Sequence, residues 1–516
     1  MSWIPAFAGM TNIDVINDAI YNKMKTICRI RPIWVVVIFF ALAFAFLLVF
    51  RLGIFQRDEL EDRADRPLDV QTRGDRDTWM SIYQQDQKIG YAHRQFFKTV
   101  EGYRVLESVF MQINTMGMLQ DIRFKTEGNL RPDLTLSSFD FELQSSLFHF
   151  KARGLLDGRI LTLITGTPGS EQKIDLPVER EVHLPVGILE ALNAENLKLG
   201  DHRTFYVFDP ATTSERPIKV VVLAEETIPV MGRQEKTKKV SVDFMGAPQF
   251  AWIGKDGAVL KEEGSLGIKL EQVTKEEALN KLTLSPGADF TEIASIPAKK
   301  VIQDVYQLQE LKLKLEGIDT GGLFLNGGRQ SLQENVLMIR KESVSNLPSR
   351  GSGKNVFSDG KTYLESTPFI QADHPEIKAK VKEIISPDDP DILKAKKLVM
   401  WAKKSIQKRP VLSVPNALET LQNRVGDCNE HAVLLTALAR AVGIPADVEA
   451  GLVYLKGRFY YHAWNVLYLG TWITADSVMG QLPADVSHIR FVRGTERQID
   501  LIRIMGKLRI EIVSDF

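Results

Sequence analysis

Cysteine is scarce in this chain, and neither sign of charge is in excess. The 516 residues include only two cysteines, and 65 lysines and arginines balance 65 aspartates and glutamates. Two cysteines can form neither a disulfide framework nor an all-cysteine zinc site. A neutral chain without a long Lys/Arg block is not expected to bind nucleic acid by neutralising phosphates. Hydrophobic residues make up 44% and charged residues 25%, which is typical of a globular protein and excludes disordered and collagen-like classes.

One long apolar run lies near the N-terminus. Residues 33–50 are 18 consecutive apolar residues, enough for about 27 Å of helix and hence for a bilayer core. A buried core helix is the alternative, but such helices seldom lack a polar residue over this length. The residues before the run are basic, those after it are mostly acidic, and no small-residue cleavage site follows. This pattern predicts an uncleaved signal anchor at residues 24–52 in the inner membrane of a bacterium, with a cytoplasmic N-terminus and a periplasmic bulk.

Two segments flank the predicted anchor. Residues 1–23 look like a translated fragment of a dispersed bacterial intergenic repeat, so Met24 is expected to be the better start of a signal anchor. Residues 53–77 alternate acids and arginines, and we interpret them as a charged linker that lifts the rest of the chain off the membrane.

An α+β architecture is expected for the remainder of the chain. Over residues 78–290, short alternating segments are separated by turn residues such as Asp157-Gly158 and Asp256-Gly257, which predicts an antiparallel, curved β-rich domain. Residues 291–372 continue the strand pattern and are interpreted as a β-rich connecting region. Helical periodicity begins after it, so the last domain is placed at residues 373–516.

A cysteine lies at the start of a strongly apolar helix. Gly426-Asp427-Cys428 leads into the apolar run, and Gly443-Ile444-Pro445 ends it, so the helix is expected to be buried centrally. Asp427 is a natural N-cap, which places Cys428 in the first turn. The positive end of the helix dipole favours the thiolate form of a cysteine there. Nucleophilic cysteines are built in this way, although a lone cysteine in an apolar helix is more often a small buried hydrophobe.

A histidine and an aspartate follow at hairpin spacing. A nucleophilic cysteine requires a histidine base and a third group that orients the histidine. His462 lies in a segment with strand composition, Leu469-Gly470 is a turn, and the next strand ends in Asp476. A hairpin centred on residue 469 pairs position 462 with position 476, and directly opposed residues have Cβ atoms about 5 Å apart. The spacing therefore predicts a His462–Asp476 pair.

At these residues the chain resembles the transglutaminase-like superfamily of papain-like enzymes. The matching motifs are Gly426-Asp427-Cys428, Gly443-Ile444-Pro445-Ala446, His462-Ala463-Trp464 and Trp472-x-x-x-Asp476. The resemblance covers roughly residues 373–495, and it implies a catalytic helix packed on an antiparallel sheet. It further implies Cys428 as the nucleophile, His462 as the general acid/base and Asp476 as the orienting group.

Two function hypotheses follow. In the first, Cys428 attacks a peptide or side-chain amide carbonyl of a protein or peptide substrate, and the resulting thioester is resolved by water or by an amine. In the second, the domain is a catalytically idle scaffold that binds envelope proteins. A zinc site at Cys428, His431 and His462 lacks an evident fourth ligand, so neither a metal nor another cofactor is expected. The choice between hydrolysis and transamidation and the oligomeric state stay open at this point.

Overall fold

The computed structural model describes residues 74–145, 148–166, 171–194, 197–209, 214–244, 247–280, 288–345, 347, 357, 363–411 and 414–513. The predicted signal anchor at residues 24–52 lies outside these ranges, as do residues 1–23 and nearly all of the predicted linker. Within the described ranges, no helix combines the length and the apolar character needed to cross a bilayer.

The largest element is an antiparallel sheet of 14 strands. Its strands are β1 (Arg76–Gln84), β2 (Gln87–Lys98), β3 (Tyr103–Thr115), β4 (Met118–Leu130), β5 (Leu136–Ser145), β6 (His149–Asp157), β7 (Ile160–Gly166), β8 (Gln172–Pro177), β9 (His202–Asp209), β10 (Ser214–Val230), β11 (Arg233–Phe244), β12 (Ala247–Gly254), β13 (Val259–Glu263) and β14 (Ile268–Val273). The spatial order is β8-β7-β6-β5-β4-β3-β2-β1-β14-β13-β12-β11-β10-β9, so most strands pair with their neighbours in sequence and β1 joins β14. The expectation of an antiparallel β-rich region is confirmed.

Alternation of side chains builds the core of this sheet. Along β6, Phe150, Ala152 and Leu156 are buried, whereas the side chains between them are exposed. Successive strand residues point to opposite faces, so one face of β6 packs inward and the other meets solvent. The predicted turn Asp157-Gly158 joins β6 to β7, with Gly158 at a φ of 57°. A helix, α1 (Ile188–Ala194), adds apolar side chains to the same core.

Two smaller antiparallel sheets form the C-terminal part. The first consists of β15 (Ile296–Pro297), β21 (Ala446–Leu455), β22 (Arg458–Tyr468), β23 (Trp472–Ala475) and β24 (His488–Arg493), in the order β15-β22-β21-β24 with β23 on β22. The second consists of β16 (Glu310–Glu316), β17 (Gln330–Gln333), β18 (Val336–Arg340) and β25 (Arg509–Ile512), in the order β17-β18-β16-β25. A short parallel pair joins β19 (Gln407–Lys408) to β20 (Val425–Gly426). The predicted connecting region, residues 291–372, therefore supplies strands to both of these sheets.

One helix occupies the centre of the C-terminal part. The helices after α1 are α2 (Lys275–Leu279), α3 (Phe290–Ala294), α4 (Pro375–Ile384), α5 (Asp391–Ser405), α6 (Ala417–Asn423) and α7 (Cys428–Ala441). Helix α7 packs on β21 and β22 and is contacted by α4, α5 and α6. Every residue from Glu430 to Ala439 is buried, because this helix is apolar on nearly all sides. The predicted central position of the cysteine-bearing helix is confirmed.

Candidate active site

The N-terminus of α7 is held by a capping box. The Asp427 side chain accepts a hydrogen bond from the Asn429 N–H at 2.8 Å, and the Asp427 N–H donates to Glu430 Oε2 at 2.9 Å. Glycine is required at position 426, because a Cβ there would lie 2.3 Å from the Glu430 Cβ. Cys428 is therefore the first residue of α7, as the sequence predicts.

The start of α7 faces a gap along one edge of β22. On that edge β22 pairs with β15 at residues 458–459 and with β23 at residues 465–468. Between these pairings, the Ala463 N–H donates to the Cys428 sulfur. Farther along the helix, Asn465 Nδ2 donates to the Ala432 carbonyl and to the hydroxyl of residue 436, both at 2.8 Å. These contacts fix the cysteine beside the strand that carries the predicted histidine.

Asp476 lies between two buried histidines. Its Oδ2 is 2.8 Å from His462 Nε2 and 2.9 Å from His488 Nε2, and its Oδ1 accepts from the Met479 N–H at 2.9 Å. Burial acts to raise the pKa of Asp476, but the two histidines outweigh it and hold that pKa well below its ordinary value. The structure thus brings His462 and Asp476 together, with an ionised carboxylate on the Nε2 side of the imidazole. Nδ1 is left as the ring nitrogen for proton exchange.

The hairpin that joins His462 to Asp476 differs in register from the prediction. Tyr468 pairs with Trp472, so the turn is centred on Gly470, one residue later than expected. Gly470 adopts a φ of 94°, a conformation that favours glycine at the middle of the turn. The pairing is consequently shifted by two residues, which leaves every side chain on its predicted face. Asp476 lies just beyond β23 and reaches His462 as a diagonal neighbour instead of a directly opposed one.

The surroundings of the Cys428 thiol favour its neutral form. Burial raises the pKa of the thiol well above its ordinary value, and the carboxyl groups of Asp427, Glu430 and Asp476 raise it further, whereas the bond from the Ala463 N–H lowers it. Burial and the nearby acids thus act against the thiolate that the helix dipole favours. Part of the residue remains accessible. Ionisation of Cys428 therefore depends on a neighbouring base.

A cluster of charged residues packs next to the site. It consists of Glu449, Arg490 and Arg493 and is here called the Glu449 cluster. Glu449 Oε1 accepts from Arg490 Nη1 at 3.1 Å and from Arg493 Nη2 at 2.6 Å. Glu449 Oε2 accepts from Trp464 Nε1 at 3.1 Å. The Trp464 ring lies 5.2 and 6.1 Å from the rings of the two histidines that contact the site aspartate. The cluster thus fixes the indole against which both histidines pack.

Arg329 immediately precedes β17. Its side chain binds the backbone of the segment that carries His488. Its Nη1 donates to the carbonyls of Ala484 and Asp485 at 2.7 and 2.9 Å, and its Nη2 donates to the His488 carbonyl at 2.9 Å. Because one guanidinium binds three backbone carbonyls, the conformation of the segment before β24 is fixed. The placement of His488 therefore depends on a residue far upstream in the sequence.

One group of side chains has the composition of a metal site. Among the described residues, the donor atoms of His462, Asp476 and His488 all lie within 4.8 Å of one another. The 2.8 and 2.9 Å separations from Asp476 Oδ2 to the two imidazole nitrogens are those of hydrogen bonds. Cys428 and His431 do not belong to this group, and His431 Nδ1 binds the carbonyl of the α7 N-cap at 2.7 Å. The zinc arrangement weighed from the sequence is therefore not formed.

Several residues of the site are not indicated by the sequence pattern. Glu449 and His488 are brought to the site by the pairing of β21 with β24, and Asp485 lies in the turn before β24. Arg329 reaches that turn through hydrogen bonds from its guanidinium. The spacing argument covers a single hairpin, so it finds His462 and Asp476 alone. To find the other residues from sequence, the pairing of β21 with β24 and the contacts of Arg329 with the turn before β24 would have had to be known.

Comparisons with known proteins give one family match and several similar solved structures. Residues 378–477 match the family model of the transglutaminase-like superfamily. No curated protein shows significant sequence similarity to the chain. Among solved structures, the chain is similar to a β-barrel-like domain of unknown function from Brucella abortus (14% identity, 39% of this chain and 98% of that chain, TM-score 0.32). It is also similar to a proposed cysteine protease from Cytophaga hutchinsonii (15% identity, 39% and 83%, TM-score 0.28). A third neighbour is a proposed protease from Parabacteroides distasonis (12% identity, 78% and 68%, TM-score 0.19).

Proposed function

We infer that the transglutaminase-like domain at residues 378–477 gives this chain a cysteine enzyme activity on peptide or side-chain amide bonds. In this proposal Cys428 is the nucleophile, His462 the general base and acid, and Asp476 the orienting group. The observation that supports it best is the arrangement of the three groups. His462 lies 2.8 Å from Asp476, and the N–H of the next residue, Ala463, contacts Cys428 at the N-terminus of α7.

Each step of the proposed reaction uses a group of this chain. His462 accepts the Cys428 proton while the sulfur attacks the carbonyl carbon, and the raised pKa of the thiol makes this assistance necessary. The oxyanion of the tetrahedral intermediate is stabilised by the Cys428 N–H at the positive end of α7. His462 then donates the proton to the departing amine, the C–N bond breaks and a thioester remains. In the second half, His462 accepts a proton from water, the water oxygen attacks the thioester carbonyl, and the C–S bond breaks as His462 returns the proton to the Cys428 sulfur. The product is a carboxylic acid, or a new amide when an amine takes the place of water.

We also propose that residues 24–52 anchor this enzyme in the bacterial inner membrane, with the catalytic part in the periplasm. The support is the apolar run at residues 33–50 and the basic residues before it. Protease added to spheroplasts should remove a C-terminal tag from the full-length chain. A tag that resists protease until the membrane is lysed would contradict the proposed orientation.

The catalytic proposal is tested with the full-length chain and a proteome-derived peptide library. Mass spectrometry should detect new peptide termini or deamidated side chains, or cadaverine adducts when that amine is added. Cys428→Ala should lower the rate by at least about 10³-fold, and Asp476→Ala should lower it less. The matched control is Cys28→Ser, which removes the other cysteine and should retain the full rate.

The outcomes separate the two function hypotheses. Full activity in Cys428→Ala would overturn the proposed mechanism. A wild-type chain that modifies no peptide, and whose Cys428 reacts with iodoacetamide only after unfolding in urea, would favour the scaffold hypothesis instead. Cadaverine adducts in place of new carboxyl termini would identify the reaction as transamidation.

A further inference from the structure

His488 is a buried histidine with an acceptor on each ring nitrogen. Its side chain is 0% exposed. Nε2 lies 2.9 Å from Asp476 Oδ2, and Nδ1 lies 3.3 Å from Asp485 Oδ1. A neutral imidazole carries one N–H and one lone pair, so it would direct a lone pair at one of these oxygens. An imidazolium satisfies both.

The two carboxylates show from their other contacts that they are acceptors. Asp485 Oδ1 accepts from the Ser487 N–H at 2.9 Å, and its Oδ2 accepts from Gln481 Nε2 at 2.8 Å. Asp476 Oδ1 accepts from a backbone N–H, and its Oδ2 is shared by the two histidines. Neither carboxylate has a contact that calls for a proton of its own. The protons of both bonds to His488 therefore belong to the histidine.

We propose that His488 is a positioning residue of the Cys428 site: a permanently charged imidazolium that keeps Asp476 ionised and aimed at His462. This inference rests on the proposed function. His488 Nε2 and His462 Nε2 share one oxygen of the aspartate, and their rings are 5.9 Å apart. The cation also offsets the negative charge of Asp476, which otherwise disfavours a thiolate at Cys428.

The groups that face His488 come from every neighbouring element. They are Asp476 after β23, Asp485 before β24, His462 on β22, and the Arg329 guanidinium, which binds the His488 carbonyl. Burial acts to lower the pKa of His488, but the bonds to the two aspartates outweigh it and raise that pKa. The two anions that face His488 thus favour its charged form.

The test follows the alkylation of Cys428 by iodoacetamide against pH in the full-length chain with Cys28→Ser. His488→Gln retains a hydrogen-bond donor toward Asp476 but removes the positive charge of the imidazolium. With less positive charge nearby, the Cys428 thiolate is less stable. At the 5.9 Å between the His488 and His462 rings, Coulomb's law predicts that the alkylation midpoint moves to higher pH by about 0.5 to 2 units, depending on the local dielectric. The matched control is His183→Gln, a buried histidine of the large sheet whose Nδ1 contacts the Leu134 carbonyl at 3.0 Å. The control should leave the midpoint unchanged.

The outcomes separate this inference from the proposed function. A midpoint that His462→Ala shifts but His488→Gln does not would overturn the role of His488 and leave the Cys428–His462 pair standing. A midpoint that neither variant shifts would overturn both. A second measurement, ¹⁵N NMR of the histidine rings, uses the unsubstituted chain and so does not depend on whether a variant folds. Both ring nitrogens of His488 should be protonated at pH 7. One unprotonated nitrogen would overturn the inference.

Discussion

Replacement of Glu449 by glutamine should destabilise β21 and β22 by about 3 kcal/mol at neutral pH. Burial acts to raise the pKa of Glu449, but the positive charges of Arg493 and Arg490 lower it from 4.5 to about 2. A difference of about 2.5 pKa units corresponds to about 3 kcal/mol of stability at pH 7. Breaking a buried ion pair by removing one partner typically costs about 3–5 kcal/mol, which agrees with this value.

The pH dependence of this effect has a defined sign. Because the pKa of Glu449 is lower in the folded state than in the unfolded state, its contribution is complete above about pH 5 and declines as the pH falls toward 2. At pH 3 it should amount to about 1.4 kcal/mol. Burial lowers the pKa of Arg490 and so opposes the ion pair. A guanidinium stays protonated at all these pH values, however, so the titration is that of Glu449.

The measurement is native-state hydrogen exchange of the β21 and β22 amides in the wild type and in Glu449→Gln, at pH 7 and at pH 3. Glu127→Gln is the control, since Glu127 pairs with Arg104 at 2.5 Å on an open strand face. An exposed pair of this kind contributes less than about 1 kcal/mol. A deficit in Glu449→Gln below about 1 kcal/mol at pH 7, or one that is equal at the two pH values, would refute the reasoning.

Two further predictions concern the packing around α7 and β21. Asn465→Leu removes the two hydrogen bonds that Asn465 Nδ2 donates to α7 and should lower the free energy of unfolding by about 1–3 kcal/mol. An unchanged urea midpoint would contradict this. Gly451→Ala places a Cβ 2.0 Å from the Ile489 carbonyl oxygen, so hydrogen exchange should show loss of the β21–β24 pairing and a cost of at least about 2 kcal/mol. Gly74→Ala, with no atom within 4 Å of its new Cβ, is the control and should behave as the wild type.

Local rules were sufficient to predict the start of α7. Gly426 and Asp427 directly precede Cys428, and Asp427 caps the helix as that short pattern predicts. Glu430 completes a capping box that was not predicted. The hairpin after it was predicted less accurately. A one-residue error in the centre of the turn, caused by the positive φ of Gly470, doubles into a two-residue error in register. The predicted face survives because side-chain direction in a strand repeats every two residues.

The charge state of Cys428 and the presence of His488 could not be predicted from local pattern. The dipole argument considers the helix alone, whereas the thiol pKa is set by burial and by acids, of which Asp476 belongs to another element. His488 contacts Asp476 only because β24 pairs with β21, where position 488 opposes Val453. Such pairings join segments far apart in sequence, and a single chain carries no local signal for them.

The Arg329 guanidinium has a consequence for how the proposed catalytic unit can be inherited. A recombination event that exchanged residues 378–477 would transfer Cys428 and its hairpin partners. It would leave behind Arg329, whose three bonds to backbone carbonyls hold the turn before β24, and also His488 itself. A chimera of this kind would receive the reactive groups without the parts that hold them in register. A transplanted unit should therefore extend at least from Arg329, just before β17, through β24.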